Sequence, residues 1–110
     1  MPLLERVRIE DYLPESERPE YDNLLQSLTK EFTYPFGGCS VVRGIEGSYL
    51  SSIGNRIPDR INLDYFDAPL ALSIDFTLVA AYSRELKAVV IEALTEEDVL
   101  ISVKQVYHAV

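Results

Sequence analysis

The sequence predicts an α+β chain with the element order β-α-β-β-α-β, on three observations. Residues 5–12 and 61–65 alternate apolar and polar side chains with a period of two, Val99, Ile101 and Val103 keep that period within 98–109, and 40–51 is a further strand rich in valine, isoleucine and tyrosine. Two longer stretches, 16–32 and 73–96, repeat apolar residues at spacings of three and four. Glycine and proline punctuate the chain where the period changes.

In the first strand Val7 and Ile9 alternate with Arg6, Arg8 and Glu10, and Leu13-Pro14 closes it. Pro19 with Glu15, Glu17, Glu20 and Asp22 suits a helix start. Proline lacks an N–H that the first turn leaves unused, and carboxylates oppose the positive end of the helix dipole. Tyr21, Leu24, Leu25, Leu28 and Phe32 then form one apolar stripe. Pro35 is expected to bar continuation of this helix, and Gly37-Gly38 permits unusual dihedrals. Val41, Val42, Ile45, Tyr49 and Leu50 mark the second strand, where Gly44 and Gly47 predict a bulge or a strong bend. Residues 53–59 read as a turn returning the chain as a hairpin, with Ile61, Leu63 and Tyr65 alternating with Asn62 and Asp64. Pro69 ends that strand. Leu78, Val79, Tyr82, Leu86, Val89, Val90 and Ala93 are expected on one face of the second helix, with Ser73 or Asp75 as N-cap. Val99, Ile101 and Val103 make the last strand, whose phase slips near Gln105.

This order is the split-βαβ, ferredoxin-like plan: a four-stranded antiparallel sheet, usually ordered 4-1-3-2, with two helices on one face. The length of 110 residues suits a single ferredoxin-like domain over 1–110. Val7, Ile9, Leu24, Leu28, Val41, Leu63, Leu86, Val90 and Ile101 are its expected core. Two helices shield one sheet face, so the other must be polar, hold a ligand or meet a partner. Strands with apolar residues in both phases (Val41 and Val42, Tyr65 and Phe66, Leu100 and Ile101) favour a covered face. A homodimer joined through the sheet is the expected assembly.

The formal net charge of -8, from 18 acidic and 10 basic residues, repels phosphate backbones and anionic lipid surfaces. No basic stripe with interleaved aromatics is present, so no nucleic-acid partner and no membrane partner are expected. Cys39 is the one cysteine, which rules out an intramolecular disulfide and suits a reducing, cytoplasmic compartment. No apolar run approaches the roughly 18 residues of a membrane span.

The segment Phe36-Gly37-Gly38-Cys39-Ser40-Val41-Val42, followed by Gly47-Ser48-Tyr49 and Gly54, resembles the layout of a small uncharacterised bacterial family. That family has a ferredoxin-like, dimeric α/β-barrel fold. In it a phenylalanine-proline-glycine loop leads into a strand, then a glycine-aromatic pair, then a turn glycine. Here Pro35 precedes the phenylalanine, and tyrosine stands in place of the usual tryptophan. The closing Glu97-Asp98-Val99-Leu100-Ile101-Ser102-Val103 suits the family's last strand. The resemblance implies the fold and a dimer, and it brings no activity.

No phosphate loop, dinucleotide fingerprint or paired Cys-x-x-Cys occurs, so no catalytic residue, metal ligand or cofactor is assigned. His108 is the sole histidine, a candidate base or polar anchor on the last strand. Asp64 and Asp67 could pair for acid-base work, although carboxylates flanking a bend are the simpler reading. The chain has 7 tyrosines, of which Tyr34, Tyr49, Tyr65 and Tyr107 could line a pocket on the open sheet face. Arg43, Tyr49, Asp64, Tyr65 and His108 are the ligand-binding candidates. The function expected is a non-enzymatic small-ligand-binding or regulatory module that oligomerises through its sheet. The alternative is a small dimeric α/β-barrel enzyme acting on a hydrophobic or aromatic substrate.

Overall fold

In the computed structural model, which describes residues 2–96 and 98–110, the elements run β1 (Leu3–Pro14), α1 (Pro19–Phe36), β2 (Ser40–Leu50), β3 (Arg56–Ala68), α2 (Leu72–Leu94) and β4 (Leu100–Ala109). The strands form one antiparallel sheet in the order β2-β3-β1-β4, the order expected from the sequence. Buried side chains of α1, α2 and one sheet face merge into a single core: Val7, Ile9 and Leu13 meet Leu25, Leu28, Phe32, Val79, Leu86, Val90 and Leu94. None of the helices among the described residues is long and apolar enough to cross a membrane.

Several boundaries differ from expectation for physical reasons. Helix α1 begins at Pro19 because the residue before a proline is pushed out of the helical region. Arg18, at φ -66° and ψ 134°, is extended. The helix also passes through Pro35 to Phe36. A proline in the last turn forfeits a single hydrogen bond, and Phe32 packs tilted and Phe36 stacked on Phe66, at centroid distances of 4.2 and 4.3 Å. Gly37, left-handed at φ 82°, then ends it by donating to the Thr33 carbonyl. In α2 neither Ser73 nor Asp75 is the N-cap. The chain enters at Ala71, whose N–H donates to the Asp75 carboxylate from outside the helix. Leu78 and Val89 turn to the surface, at 60% and 55% exposure, so the α2 stripe is narrower than the sequence implied.

Strand β3 starts at Arg56, five residues before the expected point. Pro58 is tolerated there because β3 has outrun β1, whose pairing stops at Pro14 opposite Ile61, and the missing N–H points to an unpaired edge. The expected bulge is present in β2. The register shifts between Val42 and Ile45, with Gly44 at φ 70°. Gln105 does not mark a slip. It faces the helices, accepts from the Leu72 N–H and donates to the Arg6 carbonyl, tying α2 to the sheet.

The largest departure concerns β3. Asn62, Asp64, Phe66 and Ala68 face the helices, whereas Ile61, Leu63, Tyr65 and Asp67 face the open side. Leu63 therefore lies outside the helix-side core, opposite Val42 and Tyr12 on the uncovered face. The β2–β3 hairpin also runs beyond the helices, leaving Tyr49, Leu50 and Ile53 exposed. That arm helps to explain a radius of gyration of 15.2 Å, against roughly 13 Å for a compact chain of this length.

Candidate functional site

Side chains with chemistry gather on both faces of the sheet, around the glycine loop between α1 and β2. Where β3 runs past the start of β2, a pocket of about 320 Å³ is lined from the helix side by Phe36, Cys39 and Phe66, from the open side by Ser40, Tyr65, Asp67 and His108, and by Gly37 and Gly38 of the loop. Its polar centre is Asp67. Antiparallel register places Arg8 of β1 directly across from it, and the guanidinium donates two hydrogen bonds to the carboxylate, at 2.7 and 2.9 Å. His108 Nε2 meets the second carboxylate oxygen at 2.7 Å. The Arg8 guanidinium also lies over the Tyr65 ring, 4.6 Å from its centroid.

Hydrogen bonds from Arg8 hold the Asp67 carboxyl below the usual aspartate range, with His108 adding to the effect. Asp67 thus stays ionised and accepts from His108 Nε2–H, which fixes the ring and leaves Nδ1 of the neutral imidazole as an acceptor toward a guest. Farther along the same face Glu10 is buried beneath Lys104, at 3.3 Å, and accepts from the Tyr12 hydroxyl.

On the helix side of the same strands two carboxylates lie buried. Asp11 and Asp64 are register partners on β1 and β3, and both are wholly shielded from solvent. Both Asp11 oxygens and one Asp64 oxygen have no hydrogen-bond partner among the described residues. Burial, and then the neighbouring Asp64 charge, push Asp11 up to about 8. Burial likewise raises Asp64, whose Oδ1 accepts from the Cys39 thiol. Two like charges this close in an apolar setting cannot both persist, so the pair holds a proton at neutral pH. Cys39 is in turn pushed up to about 12 by burial and by Asp64. A thiol so held is not a nucleophile.

The five candidates from the sequence therefore separate. Tyr65 and His108 share the pocket beside the glycine loop. Asp64 points away from it and into the core. Arg43 follows the β2 bulge to the helix side, at the rim of another cavity. Tyr49 is exposed on the hairpin arm. Arg43, Asp64 and His108 do not converge on one ligand, and Tyr34 and Tyr107 are surface residues.

Asp64 and Asp67 do not pair either. An odd separation along a strand puts them on opposite faces. Their true partners, Asp11 for the one and Arg8 with His108 for the other, were not singled out from the sequence. One signal was present: Asp11 interrupts the apolar phase of Val7, Ile9 and Leu13. Among the described residues no group of three or more His, Cys, Asp or Glu side chains is placed to hold a metal ion. Comparison with protein-family models, curated proteins and solved structures gives no match.

Proposed function

We propose that this chain is a non-enzymatic ligand-binding and interaction module of ferredoxin-like plan, which joins a second copy through its open sheet face. The observation that carries the reading is the inverted phase of β3: Ile61, Leu63 and Tyr65 face away from the helices, beside Val42, Ile45 and Tyr12. Leaving such a surface in water is unfavourable by about 25 cal/mol for each Å² of apolar area. A second copy fits the charge pattern. In a chain of net charge -8, Arg6, Arg8 and Lys104 offset Glu10, Asp59 and Asp67 on this face, so two copies meet there without strong repulsion. Four strands about 4.8 Å apart and about ten residues long present on the order of 600 Å² in projection. That approaches the roughly 800 Å² per partner of a standard interface. Light scattering at micromolar concentration tests the reading. Twice the chain mass of 12.5 kDa is expected, and a single chain mass overturns it.

A small dimeric enzyme acting on a hydrophobic or aromatic substrate is the second reading, favoured by the Asp67-oriented His108 at a pocket partly walled by Phe36 and Tyr65. Pairing face to face would roof that pocket with the partner's sheet. The absence of an activated nucleophile at Cys39 favours binding over covalent catalysis. Turnover of an aromatic ester or acid that His108→Gln abolishes would establish the enzyme; binding without turnover supports the module.

A further inference from the structure

We infer a second ligand site on the helix side of the sheet, built to take an amphipathic carboxylate: one anionic head on a short apolar body. The cavity there measures about 350 Å³, within the range of small-molecule sites. Its apolar wall is made by Leu13, Leu25 and Leu94, all nearly or fully buried and contributed by β1, α1 and α2. The polar rim comes from the β2 bulge. Because Val42 and Ile45 both face the open side, the extra residue in the bulge turns Arg43 and Gly44 together to the helix side. Gly44 can make that turn because it carries no Cβ. Its φ is 70°, and a Cβ there would lie 3.0 Å from Arg60 Nη2. The Gly44 N–H donates to Asn62 Oδ1, which locks the bulge against β3.

Two guanidiniums therefore border one cavity in a chain poor in basic residues. Arg60 is paired with Glu15 at 3.3 Å. Arg43 has no ion-pair partner among the described residues, so its charge is available to a guest. Glu15 and Asp22 also line the cavity, and the chain as a whole is strongly acidic. Together they select a singly charged head and reject a polyphosphate. The leucine wall offers nothing to a purely polar anion, which leaves the amphipathic carboxylate as the matching class.

The site stands apart from face-to-face pairing, since it lies on the other side of the sheet, and the two can fail separately. Sodium octanoate titrated into the ¹⁵N-labelled chain is the test, with octylammonium as the charge-reversed control. Octanoate is expected to shift the amides of Leu13, Leu25 and Gly44, and octylammonium to bind at least about tenfold more weakly. Arg43 is exposed, so Arg43→Gln should fold normally while weakening octanoate about fivefold or more. No shift at about 10 mM octanoate, an equal response to octylammonium, shifts confined to the open face, or full binding by Arg43→Gln would each overturn the inference. The oligomer mass is read in the same samples and judges the pairing independently.

Discussion

The two faces of this sheet each carry something the other would be expected to hold. The helix side, where the core lies, contains the buried pair Asp11 and Asp64. The open side, nominally the wet one, carries Ile61, Leu63, Val42 and Ile45 alongside a closed ion-pair network. Their carboxylates are also perturbed in opposite directions. Burial raises Asp11 and Asp64, while Arg8 lowers Asp67. Apolar side chains thus stand on both faces of the sheet, while the helices cover only one of them.

The harshest way to break the comparison is to place the same charge on each face. Val90 is fully buried on α2, and Val90→Asp should destabilise by at least about 4 kcal/mol, since the new carboxylate has no partner. Leu63→Asp should change monomer stability by under about 1 kcal/mol while dissociating the dimer proposed above. Urea unfolding at low protein concentration, run on both variants, separates the two effects. Equal destabilisation would mean that Leu63 belongs to the same core as Val90.

The buried pair sharpens the comparison through pH. Asp11 titrates at about 8 in the folded chain, against an ordinary value of 3.8. Its folded form holds the proton more tightly than the unfolded form, so its contribution is fully present below the ordinary carboxylate range. That contribution is lost as pH rises through about 8. Moving from about pH 5 to about pH 8 should therefore destabilise the chain by on the order of 3 kcal/mol. Asp11→Asn should flatten that slope, and an unchanged slope in the variant would acquit the pair. Asp67 works the other way. Its lowered value gives stability above the ordinary range that is lost as pH falls through the lowered one.

The smallest effect belongs to the open-side network. Arg8→Gln removes a bidentate pair whose side chains are partly exposed, and should cost about 1 kcal/mol. Thermal melts at low and high salt check it, because a screened contribution should shrink as salt is added.

The element order was legible because helix and strand periods differ and each stretch is long enough to show its own. The faces were harder to assign. In β3 the apolar phase changes partway along: Ile61, Leu63 and Tyr65 hold one phase, then Phe66 and Ala68 hold the other. Alternation alone cannot choose between them, which is why Leu63 is expected in the core and stands on the open face instead. Pro35 does not end α1 because the Phe32 and Phe36 contacts, which depend on the fold, hold its last turn. The Arg8, Asp67 and His108 cluster joins three strands through register and side-chain reach, and no local pattern announces it. The Asp11 signal could be read from β1 by itself, as an acid in an otherwise apolar phase.

Side-chain methyls report directly on whether a second copy covers the open face, as proposed above. With a soluble gadolinium chelate added at micromolar protein, the methyls of Ile61 and Leu63 should be protected nearly as well as those of Ile9 in the core. Ile53, 81% exposed at the hairpin turn, should broaden strongly and serve as the reference. If Ile61 and Leu63 broaden as Ile53 does, the face is wet and face-to-face pairing is contradicted.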